Sequence, residues 1–151
     1  MEESPRKNGN GRRRSLIGMI IAVFGFLIFL LGSSPELFGL DRSPVIGFVQ
    51  ITVFLIGLAI ICIGGYLSLI SMWHGQPRSI GADIGLRLVA TGYVIAVASG
   101  MADVFGFGSQ PWPEIPSFGR WQARGVLTGE TIIGIGFLLL VPPRSSKKED
   151  E

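Results

Sequence analysis

The chain has 151 residues, of which 48% are hydrophobic and only 16% are charged, where a soluble domain carries about a quarter. Its mean hydropathy is +0.50 and its formal net charge +2. One cysteine and one histidine exclude an intrachain disulfide and a His-pair metal site within one chain.

Residues 1–14, "MEESPRKNGNGRRR", are polar and lack apolar periodicity, so a disordered basic tail is expected, with Arg12–Arg14 beside anionic headgroups. Three adjacent arginines next to a span are the usual inside anchor, and no nucleic-acid partner is expected. The next block, "LIGMIIAVFGFLIFLL" (16–31), has no polar face and excludes a helix of a soluble bundle. A cleavable signal peptide is set aside because Leu31 stands where a small residue is wanted and the apolar core is long. A span is expected over 15–34.

Val45–Ile70 contains no charge and is long enough to cross ~30 Å of hydrocarbon with tilt. The span is placed at 45–70, with Cys62 as a small apolar filler. In the short segment "SMWHGQPRSIGAD", Trp73 and His74 are expected as interfacial anchors. The third span, 85–102, starts near Arg87, for which Asp83 is an i, i+4 partner. Trp112 and Trp121 in "DVFGFGSQPWPEIPSFGRW" suit an aromatic belt, and its prolines stiffen a cap. The fourth span, 117–141, contains Glu130, and 144–151 is a second polar tail. The expected fold is an all-α membrane protein of four transmembrane helices in an up-down-up-down bundle, occupying 15–143.

With the N-terminus inside, ten Lys and Arg fall in the inner segments and Arg42, Arg120 and Arg124 in the outer ones. That bias places both termini in the cytoplasm. The expected location is the cell membrane.

The chain also repeats itself. "PVIGFVQ" (44–50) and "PSFGRWQ" (116–122) share proline, glycine and glutamine at an offset of 72. The same offset matches Gly57 with Gly129 and Gly64 with Gly136. The preceding helices align at 67, Gly18 on Gly85 and Gly25 on Gly92, with "ELFGL" on "DVFGF". Two tandem helical hairpins follow, 15–70 and 82–141, the second with a five-residue insertion in its loop. Two spans per unit send both copies into the membrane in the same direction. Pro44 and Pro116 mark the starts of the even helices.

In lipid, small residues let helix backbones approach closely. Gly92, Ala96 and Gly100 form a stripe on the third helix, expected to meet Gly125, Gly129 and Gly136 on the fourth. Gly57 and Gly64 serve similarly on the second.

Charge within or beside a span marks a candidate site. The second repeat is polar where the first is not, at Phe48/Arg120, Thr52/Arg124 and Leu58/Glu130. A polar pocket is expected around Glu130, Arg124, Arg120, Asp103, Ser99 and Gln122, with Gln122 on the same helical stripe as Glu130. Against it stands a rigid loop whose arginines neutralise Asp103, Glu114 and Glu130.

No GxSxG, P-loop, CxxC or DxxD pattern occurs, and neither enzymatic activity nor a cofactor is expected. The leading expectation is a non-enzymatic accessory or assembly subunit packing through its glycine-rich faces, with lipid and another membrane protein or itself as partners. The alternative is a small transporter or ion-coupled carrier centred on Glu130.

Overall fold

The structure, a computed structural model, describes residues 8–34, 39, 47–107 and 119–143. The expectations placed on Pro44, Pro116, Trp112, Glu114, the "ELFGL" turn beyond Gly39, residues 1–7 and the tail 144–151 lie outside these residues. Among the described residues the chain is all-helical: α1 (Asn8–Ser33), α2 (Phe48–Ser71), α3 (Ile80–Gly100) and α4 (Arg120–Leu140). Each helix is long and apolar enough to cross a membrane, and successive helices alternate in direction. The start of α1, the end of α2, the start of α3 and the end of α4 share one face, the near face; the opposite ends make the far face.

Helix ends differ from the sequence reading for local reasons. α1 begins at Asn8, so the arginine triplet is helical where a disordered tail was expected; arginine is a good helix former and continues the apolar run outward. α3 begins five residues before position 85, because Ser79 caps it, its hydroxyl accepting from the Ala82 N–H at 3.1 Å. Asp83 then lies in the first turn, where the helix dipole favours an acid. It pairs with Arg78 at 3.6 Å and not with Arg87. Both side chains of that pair are exposed, so it contributes little. α2 and α4 start at Phe48 and Arg120, with Gly47 and Gly119 as their N-caps. These positions are 72 apart, as are the first-turn bonds Ile51 N–H to Gly47 O and Ala123 N–H to Gly119 O.

Helices pair first within each hairpin, α1 with α2 and α3 with α4. Only α2 brings its backbone close to the other hairpin, and α1 packs against α2 alone. Glycine sets the intra-hairpin distance. Gly18 lies against Gly64 and Ser68, and Gly85 against Gly136 and Leu140. Gly25 lies against Ile61 and Gly92 against Ile133; Gly57 lies against Phe29 and Gly129 against Ala96. Every one of these contacts in the first hairpin maps onto its counterpart in the second by the offsets 67 and 72. The helix pairing is therefore compatible with a tandem repeat.

The correspondence breaks at the far end. Gly32 lies against Phe54, whereas its counterpart Ser99 lies against Gly125. The small residue has moved from the first helix of the pair to the second.

Among the described residues, two side-chain hydrogen bonds join the hairpins. Trp73 Nε1–H donates to the Leu140 carbonyl at 3.0 Å, buried at the near face. Trp73 is 9% exposed, so it is a latch between hairpins and not an interfacial anchor. Higher up, the Tyr93 hydroxyl reaches Leu55 O at 3.5 Å. Between α2 and α3 the chain turns through two left-handed residues, His74 (φ 48) and Gly75 (φ 79).

Candidate functional site

Where α2 leans across the far half of the second hairpin, the two hairpins border a partly open cavity of about 310 Å³. That is at the lower end of the small-molecule range of roughly 300–1,000 Å³. Its apolar wall includes Phe29 of α1, Ile51 and Phe54 of α2, and Val126 and Leu127 of α4. Its polar groups are Ser33, Gln50 and Glu130. The Phe29 and Phe54 rings lie 4.7 Å apart, tilted by 37°.

Glycine makes the room. Gly32 and Gly100 both line the cavity, and Gly100 differs from the packing glycines. A β-carbon there would meet Ile51, Leu55 and Val126 only at 3.5–3.7 Å, an ordinary contact. At Gly92 it would stand 2.5 Å from the Gly129 carbonyl oxygen.

Glu130 is the tenth residue after Arg120, the first of α4. At 1.5 Å per residue it sits roughly 15 Å from either end of that helix. It is half-buried, and its counterpart Leu58 in α2 is a buried core residue. The carboxylate is thus on the helix face that the first repeat uses for apolar packing.

Of the residues grouped around Glu130 by sequence, those on α4 divide among three of its faces. Ala123, Val126, Leu127 and Glu130 face the cavity. Gln122, Val126, Gly129 and Ile133 are buried, and Gly129 lies on α3. Eight residues at about 100° each separate Gln122 from Glu130 by about 80° of rotation, so one side chain serves the α3 contact and the other the cavity. Arg124 is about 120° round the helix from Glu130. It is exposed, with its guanidinium 5.1 Å from the Trp121 ring centroid, a cation–π contact. Arg120 is exposed at the helix start, Ser99 is occupied against Gly125, and Asp103 is in the turn after α3. Of the six grouped residues, the cavity keeps Glu130 alone.

Gln122 has a structural task. Its Oε1 accepts from the Gly119 N–H at 2.6 Å, satisfying one of the donors at the start of α4. Its Nε2 is buried and finds no partner among the described residues. The hydroxyls of Thr52, Thr128 and Thr131 each donate to the carbonyl four residues back, at 2.7–2.9 Å. That bond satisfies a hydroxyl without a neighbouring helix.

Gln50, Ser33, Phe29 and Phe54 were not singled out by sequence. A signal existed for Gln50, a polar residue in an apolar span and the repeat counterpart of Gln122. Among the described residues no group of three or more His, Cys, Asp or Glu side chains converges to hold a metal ion. Comparison with protein-family models, curated proteins and solved structures finds no match to this chain.

Proposed function

We propose that this chain is a small, non-enzymatic, multi-pass protein of the cell membrane that binds and carries a small molecule in the cavity between its hairpins, with Glu130 as the binding group. The observation that carries this reading is the placement of Glu130. An ionisable group deep within a span is costly and is retained for a purpose by default, and here it lines a cavity. The glycine faces are engaged within each hairpin and are not left over for a partner. The distribution of cations, ten to three, supports cytoplasmic termini, testable with a reporter fused after Glu151.

A second reading, an accessory or assembly subunit, is favoured by α1. That helix packs on α2 alone, leaving Leu16, Ile20, Val23, Phe24 and Leu27 about half or more exposed.

Native mass spectrometry of the chain, gently extracted from its own membrane, separates the two. A retained small molecule that is lost on Gly100→Leu supports the carrier. A stoichiometric complex with a different protein, and no small molecule, supports the subunit and overturns the carrier.

A further inference from the structure

Glu130 has no cationic partner among the described residues. The one ion pair there joins Arg78 to Asp83 at the near face, Arg124 is held over Trp121, and none of the described residues lining the cavity is basic. A carboxylate facing a largely apolar space without a counter-charge dictates what can join it.

We propose that the inter-hairpin cavity takes a lipid-soluble organic cation, an ammonium group on a compact apolar or aromatic body, with the ammonium against the Glu130 carboxylate. The proposal rests on the carrier reading and names its ligand class. An anion is repelled by Glu130 and finds no basic group among the described residues of the wall. A neutral apolar molecule fills the space but leaves the carboxylate unpaired, which is costly in a low-dielectric site. A hard metal cation wants six or more oxygen ligands for calcium, or a retained water shell for magnesium. Among the described residues Glu130, Gln50 and Ser33 are the only polar side chains in the lining, too few to replace either.

An organic ammonium is matched on each count. Its charge is spread over weakly hydrated carbon and pairs with Glu130. Phe29 and Phe54, packed on each other, line the cavity and add aromatic surface beside which the body of such a cation can lie. The remaining apolar wall takes the body of the molecule, and Gln50 and Ser33 add neutral acceptors. Placing the carboxylate at mid-helix means the ligand is met from within the bilayer, which selects lipid-soluble cations over hydrated ones.

The test uses the full-length protein in lipid nanodiscs, with empty nanodiscs as blank, and two probes of one shape. Phenyltrimethylammonium carries the charge, and tert-butylbenzene replaces its nitrogen with carbon. The expected result is saturable binding of phenyltrimethylammonium at least about tenfold tighter than tert-butylbenzene. Glu130→Gln removes that tenfold preference and leaves tert-butylbenzene binding unchanged. Gly100→Leu, which intrudes on the cavity from a position where a β-carbon makes only ordinary contacts, abolishes both and controls for location. Equal binding of the two probes, or a charge preference that survives Glu130→Gln, overturns the ligand class; if Gly100→Leu still abolishes binding, the carrier reading stands. Saturable binding of neither probe overturns the ligand class, while a small molecule retained in native mass spectrometry would keep the carrier.

Discussion

Gly92 and Gly129 each hold a backbone carbonyl oxygen 2.5 Å from where the other's β-carbon would stand. Neither helix can carry a side chain at that crossing without moving apart. Gly85 with Gly136, and Gly18 with Gly64, show the same reciprocity at 2.5–2.8 Å. In lipid the hydrophobic effect does little to hold helices together, and close backbone contact supplies the attraction instead, including weak Cα–H···O bonds.

Gly92→Leu and Gly129→Leu should therefore destabilise the second hairpin by at least about 2 kcal/mol, the scale of forced overpacking. Gly134 is the internal control, since a β-carbon there meets nothing within 4 Å. Gly134→Leu should leave stability unchanged or slightly raise it, because leucine is the better helix former. Reversible unfolding in mixed micelles measures all three.

The inter-hairpin latch gives a second expectation. Trp73→Phe keeps an aromatic ring but removes the pyrrole half of the indole and the bond to Leu140 O, with an expected loss of about 2–3 kcal/mol from the hydrogen bond and the vacated volume together. The loss should concentrate at the junction. Hydrogen exchange should rise near Trp73 and Leu140 while the glycine-packed centres of both hairpins keep their protection. Uniform loss of protection would mean that the hairpins do not behave as separate packed units.

How far the sequence disclosed this arrangement depends on what kind of signal each part leaves. Four apolar blocks and the glycine spacing write themselves into composition and periodicity, so the spans and the packing of α3 on α4 could be read directly. The latch could not. Nothing about Trp73 in a short polar loop distinguishes a headgroup anchor from a donor to the end of α4, because the difference is where a distant carbonyl lies. The pocket failed similarly. Gln122 and Glu130 share a stripe over two turns only approximately, and the residual rotation sends one to α3 and the other toward α2. Three of the cavity's four walls come from other helices, and only the fold brings Phe29, Phe54 and Gln50 to Glu130.

The turn between hairpins supplies a third test. Gly75 has φ 79 and open space around it, so any cost of a side chain there is backbone alone. Gly75→Ala should cost about 1–2 kcal/mol, the penalty of the left-handed region for an L-residue. Gly75→Asn should recover part of it, because asparagine visits that region. Thermal unfolding of the two variants side by side gives the comparison.

Gln122 gives a fourth. Gln122→Met forfeits the bond to the Gly119 N–H, about 1 kcal/mol, and removes a buried amide donor without a partner among the described residues, a penalty of about 1–3 kcal/mol. The two effects oppose each other, and the net change should lie between about zero and a gain of about 2 kcal/mol. A net loss would show that Nε2 has a partner that matters.

The most direct test asks whether position 130 opens into the space between the hairpins or onto lipid. In a Cys62→Ala background, Glu130→Cys and Thr131→Cys would each be labelled with N-ethylmaleimide in native membranes, with and without Gly100→Leu. Thr131 is exposed on the outer surface of α4 and is the neighbour that should not respond. Filling the cavity should slow labelling of Glu130→Cys at least about tenfold and leave Thr131→Cys unchanged. Labelling of Glu130→Cys that ignores Gly100→Leu, or that is absent from the outset as for a thiol facing lipid, would place position 130 outside the cavity and remove the site.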